Sequence, residues 1–418
     1  MSNQQAKPTI ERPTSIPLLT WLLLAGTLFG KLVYKSAIPF LSLFLLRHDH
    51  LTASLIGFIL GASYLVGAFM SLVSGYLIDL LGQKRLMLLS LVTLAGSIAM
   101  IPFVHQTLLI GGVVLAVGAF RNSFETSNQS LLVQVTPVSR RSEVFSIRYI
   151  VVNLAAGAGP LLGAWLGYSG QTASFLINGG GYLLYACLLY VLTRSLPNQM
   201  ANDTTMEPSS MRAAYRDIAG NRPFLFGLLA ACMLNYGYTQ IDVTLPQVLA
   251  VHGSLAAHWF AWMLGLNTLL IATLQWPVTR WIRRYPKRWT MSSGAVLSAI
   301  GYWTFGNAHD LLSYLMGMVI VTFGEMLSLT LIVPWLVELS NPALQGAYFG
   351  AARLRFLGDF AGALLGGAIL EHLGVRSLFE STCILVFTAV LWLAFSKTRS
   401  HRPAPSSESG NWSEPDAL

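Results

Sequence analysis

Long apolar runs separated by short polar segments extend along the whole chain. Most of these runs hold about 20 residues or more, the length that an α-helix needs to cross the hydrocarbon core of a bilayer. We therefore predict an all-α polytopic membrane protein with twelve transmembrane helices. Their expected ranges are 16–46, 54–80, 84–104, 107–135, 144–168, 172–193, 223–250, 257–281, 288–307, 311–338, 344–370 and 375–396.

A polar stretch in the middle of the chain divides these helices into two sets of six. It is the longest polar segment between apolar runs and is expected to be a cytoplasmic linker. The expected domains are an N-terminal segment (1–15), a first six-helix bundle (16–193), the linker (194–222), a second bundle (223–396) and a disordered tail (397–418), rich in Ser, Pro and acidic residues.

The two halves also resemble each other in sequence. At a nearly constant spacing, Pro39 aligns with Pro246 and Arg148 aligns with Arg353. Two six-helix repeats of like topology place a substrate site at their interface, near the middle of the bilayer. The duplication therefore favours a carrier.

Composition and charge agree with a membrane location. Hydrophobic residues make up 54% of the chain and charged residues 11%, whereas a soluble domain has about 25% charged residues. The net charge of +8 does not indicate nucleic-acid binding, because 18 of the 26 basic residues fall on the termini and on alternate loops. This positive-inside bias predicts that both termini are cytoplasmic. The expected location is a bacterial inner membrane. The three cysteines all lie in apolar runs, which excludes a disulfide scaffold.

The loop after the second apolar run carries the sequence GYLIDLLGQKR. It resembles the signature loop of the major facilitator superfamily, although Leu80 and Gln83 replace the usual basic residues. The resemblance implies the two-bundle transporter fold and a conformational gate. The gate residues carried over from the family are Gly75, Asp79, Gly82, Lys84 and Arg85. We also expect another helix to approach Gly75 closely and Gly82 to permit a tight turn.

The fifth run contains the sequence NLAAGAGPLLGAWLG, which resembles a motif of the twelve-span drug:proton antiporter branch of that superfamily. Gly159, Pro160 and Gly163 are the matching residues. Small residues at this spacing let helices pack closely, and a proline bends the helix. The resemblance implies export in exchange for protons.

Two carboxyl groups inside apolar runs are candidates for proton coupling. An ionisable residue within a span is costly unless it is paired or hydrated, and an apolar setting favours the neutral form of a carboxyl group. Asp242 lies in a polar stretch with Gln240, and Glu325 is flanked by apolar or small residues. The alternative is that these carboxyl groups only form salt bridges that hold the halves together.

Cationic residues in the first half are candidates for substrate contact. Lys31 and Lys35 lie one helical turn apart in the first span. Arg148 opens the fifth span, and Asn153 follows it in the sequence RYIVVN. Together with Gln240, these are the predicted substrate-binding residues. Arg121 is expected to pair with Glu125 in its own helix, as is Arg355 with Asp359. The excess of cations predicts a cavity that accepts an anion or zwitterion.

No phosphate-binding Gly-Lys-Ser/Thr loop, nucleophile motif or metal-ligand spacing occurs in the sequence. We therefore expect no enzymatic activity, cofactor or metal, and a monomer whose partners are a small molecule, protons and lipid. The leading hypothesis is proton-coupled export of a drug-like, anionic or zwitterionic molecule such as a siderophore. The alternatives are proton-coupled uptake of an anionic metabolite or metallophore, and a receptor that does not transport.

Overall fold

The computed structural model describes residues 16–137, 140–165, 171–194, 216–341 and 344–396. Every regular element in these ranges is helical, so the all-helical prediction is confirmed. The N-terminal segment, most of the linker and the tail from 397 lie outside the described residues. The domain boundaries therefore stay a prediction.

Besides a helical segment at 216–220, fourteen α-helices follow one another in the described residues. They are α1 (Leu18–Ala37), α2 (Leu41–His48), α3 (Ala53–Leu81), α4 (Gln83–Met100), α5 (Thr107–Val135), α6 (Arg141–Trp165), α7 (Thr172–Thr193), α8 (Arg222–Thr239), α9 (Leu245–Leu249), α10 (Ala256–Ile282), α11 (Lys287–Gly306), α12 (Leu311–Glu338), α13 (Gln345–Ala351) and α14 (Phe356–Phe395).

Ten helical segments of the described residues are long and apolar enough to cross a membrane. The last of them contains α14, whose 40 residues would reach about 60 Å, twice the hydrocarbon thickness. Gly374 divides α14 with a φ of 82°, a left-handed conformation that glycine adopts readily. With α14 counted as two crossings and the 20-residue α11 added, the described residues hold the twelve helices that the sequence predicts.

Two apolar cores stabilise the bundle. One is built mainly from α1 to α7 and includes Leu91 and Phe175, while the other is built mainly from α8 to α14 and includes Phe305 and Phe379. Phe40, from the first half, belongs to the second core and packs edge-on against Phe260 at 5.6 Å between ring centroids. The two halves are therefore in direct contact.

The first span of each half is irregular at its proline. A 3₁₀ turn at Ile38–Phe40 separates α1 from α2, and a π-helical turn at Gln240–Thr244 separates α8 from α9. Pro39 and Pro246 lie at these breaks, because proline has no N–H to donate and its ring clashes with the carbonyl group four residues earlier. The aligned prolines of the two repeats thus produce breaks at corresponding positions.

The halves meet mainly at one side of the bundle. This side contains the ends of α2 and α9 and the break at Gly374, and we call it the far face. There the Arg47 guanidinium donates to the Gly253 carbonyl oxygen, and the Ser54 N–H donates to a Glu371 carboxylate oxygen at 2.8 Å. The opposite side, with Gly82 and the end of α14, is the terminal face. In the half of α3 nearer to it, the Arg353 guanidinium donates to the Ser71 hydroxyl.

Candidate functional site

A cavity of about 250 Å³ lies between the two halves, about midway along their first spans. Its lining combines cationic, acidic and aromatic side chains from both halves. The lining residues are Tyr34, Lys35, Ile38, Pro39, Tyr64, Ala68, Arg121, Asn122, Tyr238, Asp242, Phe356 and Asp359.

Lys35 and Asp242 enter the cavity from corresponding positions of the two repeats. Each lies four residues before the proline of its span, Pro39 or Pro246. A proline leaves that fourth-preceding carbonyl group without its helical hydrogen bond, so both charged residues lie where the backbone hydrogen bonding of a span is interrupted. Neither side chain makes a hydrogen bond or ion pair within the described residues. Both are therefore available to a substrate or a proton.

Arg121 is part of the cavity lining and does not pair with Glu125 as expected. Its Nη1 atom lies 3.2 Å from the Tyr34 hydroxyl oxygen, and its guanidinium carbon lies 4.6 Å from the centre of the Tyr34 ring. This contact orients the arginine without neutralising it. Arg121 is a cavity residue that the sequence analysis assigned to a helix pair.

Glu125 instead joins three helices of the first half. Its Oε2 atom lies 2.6 Å from the Lys31 ammonium nitrogen, and its Oε1 atom accepts a hydrogen bond from the Arg148 guanidinium. The side chains of all three are mostly buried. Lys31 and Arg148, both predicted to contact substrate, are engaged in this ion cluster and lie outside the cavity lining.

Asp359 differs from its expected arrangement as well. Its carboxylate accepts hydrogen bonds from the Asn235 amide at 2.7 Å and from the Thr239 hydroxyl at 3.0 Å, both on α8. The Arg355 guanidinium lies over the Phe356 ring, 4.4 Å from its centre. Asp359 lines the cavity, and the sequence signal that pointed to it was only its position inside a span.

Glu325 lies on α12, deeper within the second half. Its Oε2 atom accepts a hydrogen bond from the Asn267 amide at 2.9 Å, and the same amide donates to the Thr322 hydroxyl at 3.0 Å. No ion pair to Glu325 occurs within the described ranges. The carboxyl group is thus held by one neutral donor, the Asn267 amide, an environment compatible with either protonation state.

Gln240 and Asn153, two further predicted substrate contacts, do not line this cavity. The Gln240 side chain is buried, donates to the carbonyl oxygens of Tyr236 and Gly362, and accepts from the Thr244 hydroxyl at 2.9 Å. These bonds stabilise the π-helical turn and join α8 to α14. Asn153 lies half-buried on α6. In this conformation the Gln240 side chain stabilises helix packing and does not face the cavity.

The signature loop forms the predicted turn between α3 and α4. Gly82 has a φ of 81°, which explains why glycine is suited to this position. The Lys84 ammonium group donates to the Thr193 carbonyl oxygen, and Arg85 is exposed. The expected close helix approach at Gly75 is absent, because no heavy atom of another helix among the described residues lies within 4 Å of an ideal Cβ there. The side chain of Asp79 lies outside the description.

The glycine-proline motif of α6 lies against α1. A Cβ at Gly159 would lie 2.5 Å from the Lys35 Cβ and 3.0 Å from its carbonyl carbon. Pro160 lies inside α6, and both it and Gly163 are buried. Close packing at Gly159 therefore sets the position of the helix that carries Lys35.

Comparison with known proteins agrees with this architecture. The sequence profile of the Major Facilitator Superfamily matches residues 23–357 and 260–416. The chain is 28% identical over 384 residues to an uncharacterized MFS-type transporter, YqjV of Bacillus subtilis (strain 168), covering 90% of this chain and 92% of the relative. It is 24% identical to a Na(+), Li(+), K(+)/H(+) antiporter of Planococcus maritimus, covering 80% and 85%.

The fold also matches a solved transporter. The crystal structure of a mutant of the nucleoside transporter NupG superimposes with a TM-score of 0.77 at 14% identity, covering 91% of this chain and all of that one. The matched relatives are transporters and not enzymes. The cavity between two six-helix halves, the signature loop and the profile match all lead to one conclusion: the chain belongs to the Major Facilitator Superfamily and is a multi-pass membrane transporter.

Proposed function

We propose that this transporter exports a small organic molecule in exchange for protons, and that the molecule carries a carboxylate or is zwitterionic. The observation that carries the proposal is the pair Lys35 and Asp242, which enter one cavity from the two halves without a side-chain partner among the described residues. The relative from Planococcus maritimus is named as an antiporter that exchanges cations for protons. An exchange with protons is therefore the mode proposed for this chain.

The charges of the cavity suggest how the substrate is bound. Lys35 and Arg121 offer hydrogen-bond donors to a carboxylate, and charge-assisted bonds of this type are about twice as strong as neutral ones. Asp242 and Asp359 offer acceptors to an ammonium group. The rings of Tyr34, Tyr64 and Tyr238 supply apolar surface for the body of the molecule. A zwitterion thus pairs with both halves at once.

Proton coupling is assigned to Asp242 and Glu325. When Asp242 is protonated, it no longer attracts the cationic part of the substrate, so substrate and proton compete for the same group. Glu325 accepts a hydrogen bond from the neutral Asn267 amide and is the second proton-binding group. The six-helix halves, predicted at 16–193 and 223–396, would rock around this site to expose it alternately to the two sides.

The closed far face supports an inward-facing conformation. Both chain termini are proposed to be cytoplasmic because basic residues concentrate on that side. The terminal face would then lie on the cytoplasmic side of a bacterial inner membrane. The contacts that Arg47 and Ser54 make between the halves then lie on the outside. A fluorescent protein that matures only in the cytoplasm should fluoresce when it is fused to Leu418. Absence of fluorescence from a folded fusion protein would show the opposite orientation.

The test of function uses the purified full chain in liposomes that contain a trapped pH dye. A proton gradient is imposed, and lipophilic cations, carboxylates and zwitterions are added in turn on either side. Export by antiport predicts proton movement opposite to that of a carboxylate or zwitterion. A response to lipophilic cations alone would overturn the proposed substrate class.

Two other outcomes distinguish the remaining hypotheses. Protons and an anionic metabolite moving in the same direction would show uptake by symport. Binding of a labelled compound by folded protein, without exchange across the liposome membrane, would show a receptor. Loss of Lys35 would weaken carboxylate transport in a symporter and in an antiporter alike. The direction of proton movement is therefore the measurement that distinguishes the two.

A further inference from the structure

A second group of polar side chains lies on the far face, away from the cavity. His48 ends α2, Asp49 follows it, and His105 belongs to the connection between α4 and α5. The Asp49 Oδ1 atom lies 3.4 Å from His48 Nδ1 and 3.0 Å from His105 Nδ1. One potential ligand atom from each of the three residues lies within 4.8 Å of the others.

Asp49 points into the protein while the two imidazole rings remain open to solvent. The Asp49 side chain is 2% exposed, compared with 40% for His48 and 64% for His105. Its Oδ2 atom is buried and has no hydrogen-bond partner among the residues that the structure describes. A buried carboxylate oxygen without a partner is costly unless a proton or cation compensates it. The Asp49 carboxylate therefore has one oxygen whose bonding capacity no described residue satisfies.

The backbone and an aromatic contact hold these residues in place. His50 has a φ of 52° and is the one residue other than glycine with positive φ in the described part of the chain. Strained residues of this kind persist where their surroundings fix them, and they cluster at functional sites. The Leu51 N–H donates to the Leu45 carbonyl oxygen at 3.2 Å, which closes the turn that contains Asp49. The His48 ring stacks on Phe44 at 4.8 Å between centroids.

We propose that His48, Asp49 and His105 bind a divalent transition-metal ion of the Zn²⁺ type. Imidazole nitrogens and carboxylate oxygens are ligands that Zn²⁺ binds at about 2.0–2.2 Å. In a tetrahedron of that size, neighbouring ligand atoms lie about 3.3 Å apart. The 3.4 and 3.0 Å separations around Asp49 Oδ1 are close to this value. Three protein ligands leave a fourth position for water or an exogenous ligand.

Binding requires one ring to turn. The two imidazole rings are nearly parallel, with an interplanar angle of 18° and centroids 5.5 Å apart, whereas both lone pairs must point at the ion. His105 is the ring that turns, because it is the more exposed and His48 is stacked on Phe44. The neighbouring Arg47 does not occupy the site, since its guanidinium is engaged by the carbonyl oxygens of Ala250 and Gly253.

The sequence alone predicts no metal site because its ligands are far apart in the chain. His105 lies 56 residues from Asp49, on a different connection between spans. A bound ion would join the end of α2 to the α4–α5 connection within the first half. Because the ion binds the folded state, it would stabilise the folded chain by an amount that rises with the logarithm of the free-ion concentration above Kd.

The test is a Zn²⁺ titration of the full chain in detergent, purified through a tag without histidines and stripped with a chelator. Competition with a chromogenic zinc indicator should give one tight site per chain in wild type. His105→Ala and Asp49→Asn should weaken that site at least about tenfold. The matched control is His309→Ala, which removes another exposed histidine from the far face and should bind as wild type does.

A second measurement separates metal binding from misfolding. Zn²⁺ should raise the melting temperature of wild type and of His309→Ala but not of His105→Ala, an exposed position that tolerates alanine. Stoichiometric binding that is unchanged in both His105→Ala and Asp49→Asn would overturn the proposal, as would the absence of a tight site in folded wild type. In either case the group would be only a hydrogen-bonded cluster.

Discussion

The Lys31 ammonium nitrogen lies 2.6 Å from Oε2 of Glu125, and the two residues belong to different helices, α1 and α5. Arg148 of α6 donates to the other carboxylate oxygen. One carboxylate therefore compensates two cations within the first half. Because buried charges are tolerated only when they are paired, this cluster is expected to stabilise the packing of three helices.

Replacing Glu125 with glutamine should destabilise the protein. It removes the negative charge and leaves two mostly buried cations uncompensated, a loss of about 3 kcal/mol in the free energy of unfolding. The measurement is the fraction of protein that stays folded in detergent after heating. Glu143→Gln is the control: Glu143 is 48% exposed, compared with 21% for Glu125, and pairs with Arg140 at the surface. That change should cost less than about 1 kcal/mol. Equal effects of the two substitutions would contradict the prediction.

Replacing Glu325 with glutamine should uncouple transport from the proton gradient. The amide cannot exchange a proton, but it can still accept the hydrogen bond from Asn267. We therefore expect loss of gradient-driven accumulation while exchange of labelled substrate continues in liposomes. Glu338→Gln, at the exposed end of the same helix, is the matched control. Normal gradient-driven transport by Glu325→Gln would remove this residue from the mechanism.

Replacing Lys35 with methionine should weaken the binding of carboxylate substrates. Loss of a charge-assisted hydrogen bond corresponds to about 1.5–3 kcal/mol, which is roughly a tenfold or greater increase in Kd. The control is Lys287→Met, which removes an exposed lysine paired with Glu338 far from the cavity. Binding is measured with a labelled carboxylate. If both variants bind it like wild type, Lys35 is not a substrate contact.

Replacing Gly57 with alanine should disfavour closure of the far face. A methyl group there would overlap the Ala363 carbonyl oxygen across the contact between α3 and α14, and backbone cannot move aside as a flexible side chain can. Gly75→Ala adds a methyl group to the same helix where the surrounding described atoms leave open space. The measurement is the reactivity of a cysteine introduced at Ser54 toward a thiol reagent that cannot cross membranes. It should rise in Gly57→Ala only; equal reactivity in both backgrounds would refute the expectation.

Replacing Asp79 with asparagine should impair transport without abolishing substrate binding. Asp79 lies in the signature loop, near the turn at Gly82 and away from the cavity. A gate residue there would affect the conformational change that transport requires and leave substrate binding intact. Transport and equilibrium binding are measured on the same preparation. Full transport activity would show that the loop is not a gate in this protein.

Local patterns in the sequence predicted the fold because a bilayer imposes local requirements. A helix must satisfy its own backbone hydrogen bonds and be about 20 residues long, so apolar runs identify the spans without knowledge of their partners. The same logic held at Gly82, whose turn needs a left-handed residue, and at Gly159, whose packing on α1 needs a small one. Even the breaks at Pro39 and Pro246 follow from proline itself.

Partners of the buried charges were decided only by the tertiary structure. Spacing within a helix suggested that Arg121 pairs with Glu125, yet Glu125 is neutralised by two residues of other helices, and Arg121 is left to the cavity. The contact between His105 and Asp49 likewise depends on how distant segments of the chain pack together. Helical periodicity states which residues share a face, but electrostatic partners depend on which faces meet, and that is determined by the packing of the whole bundle.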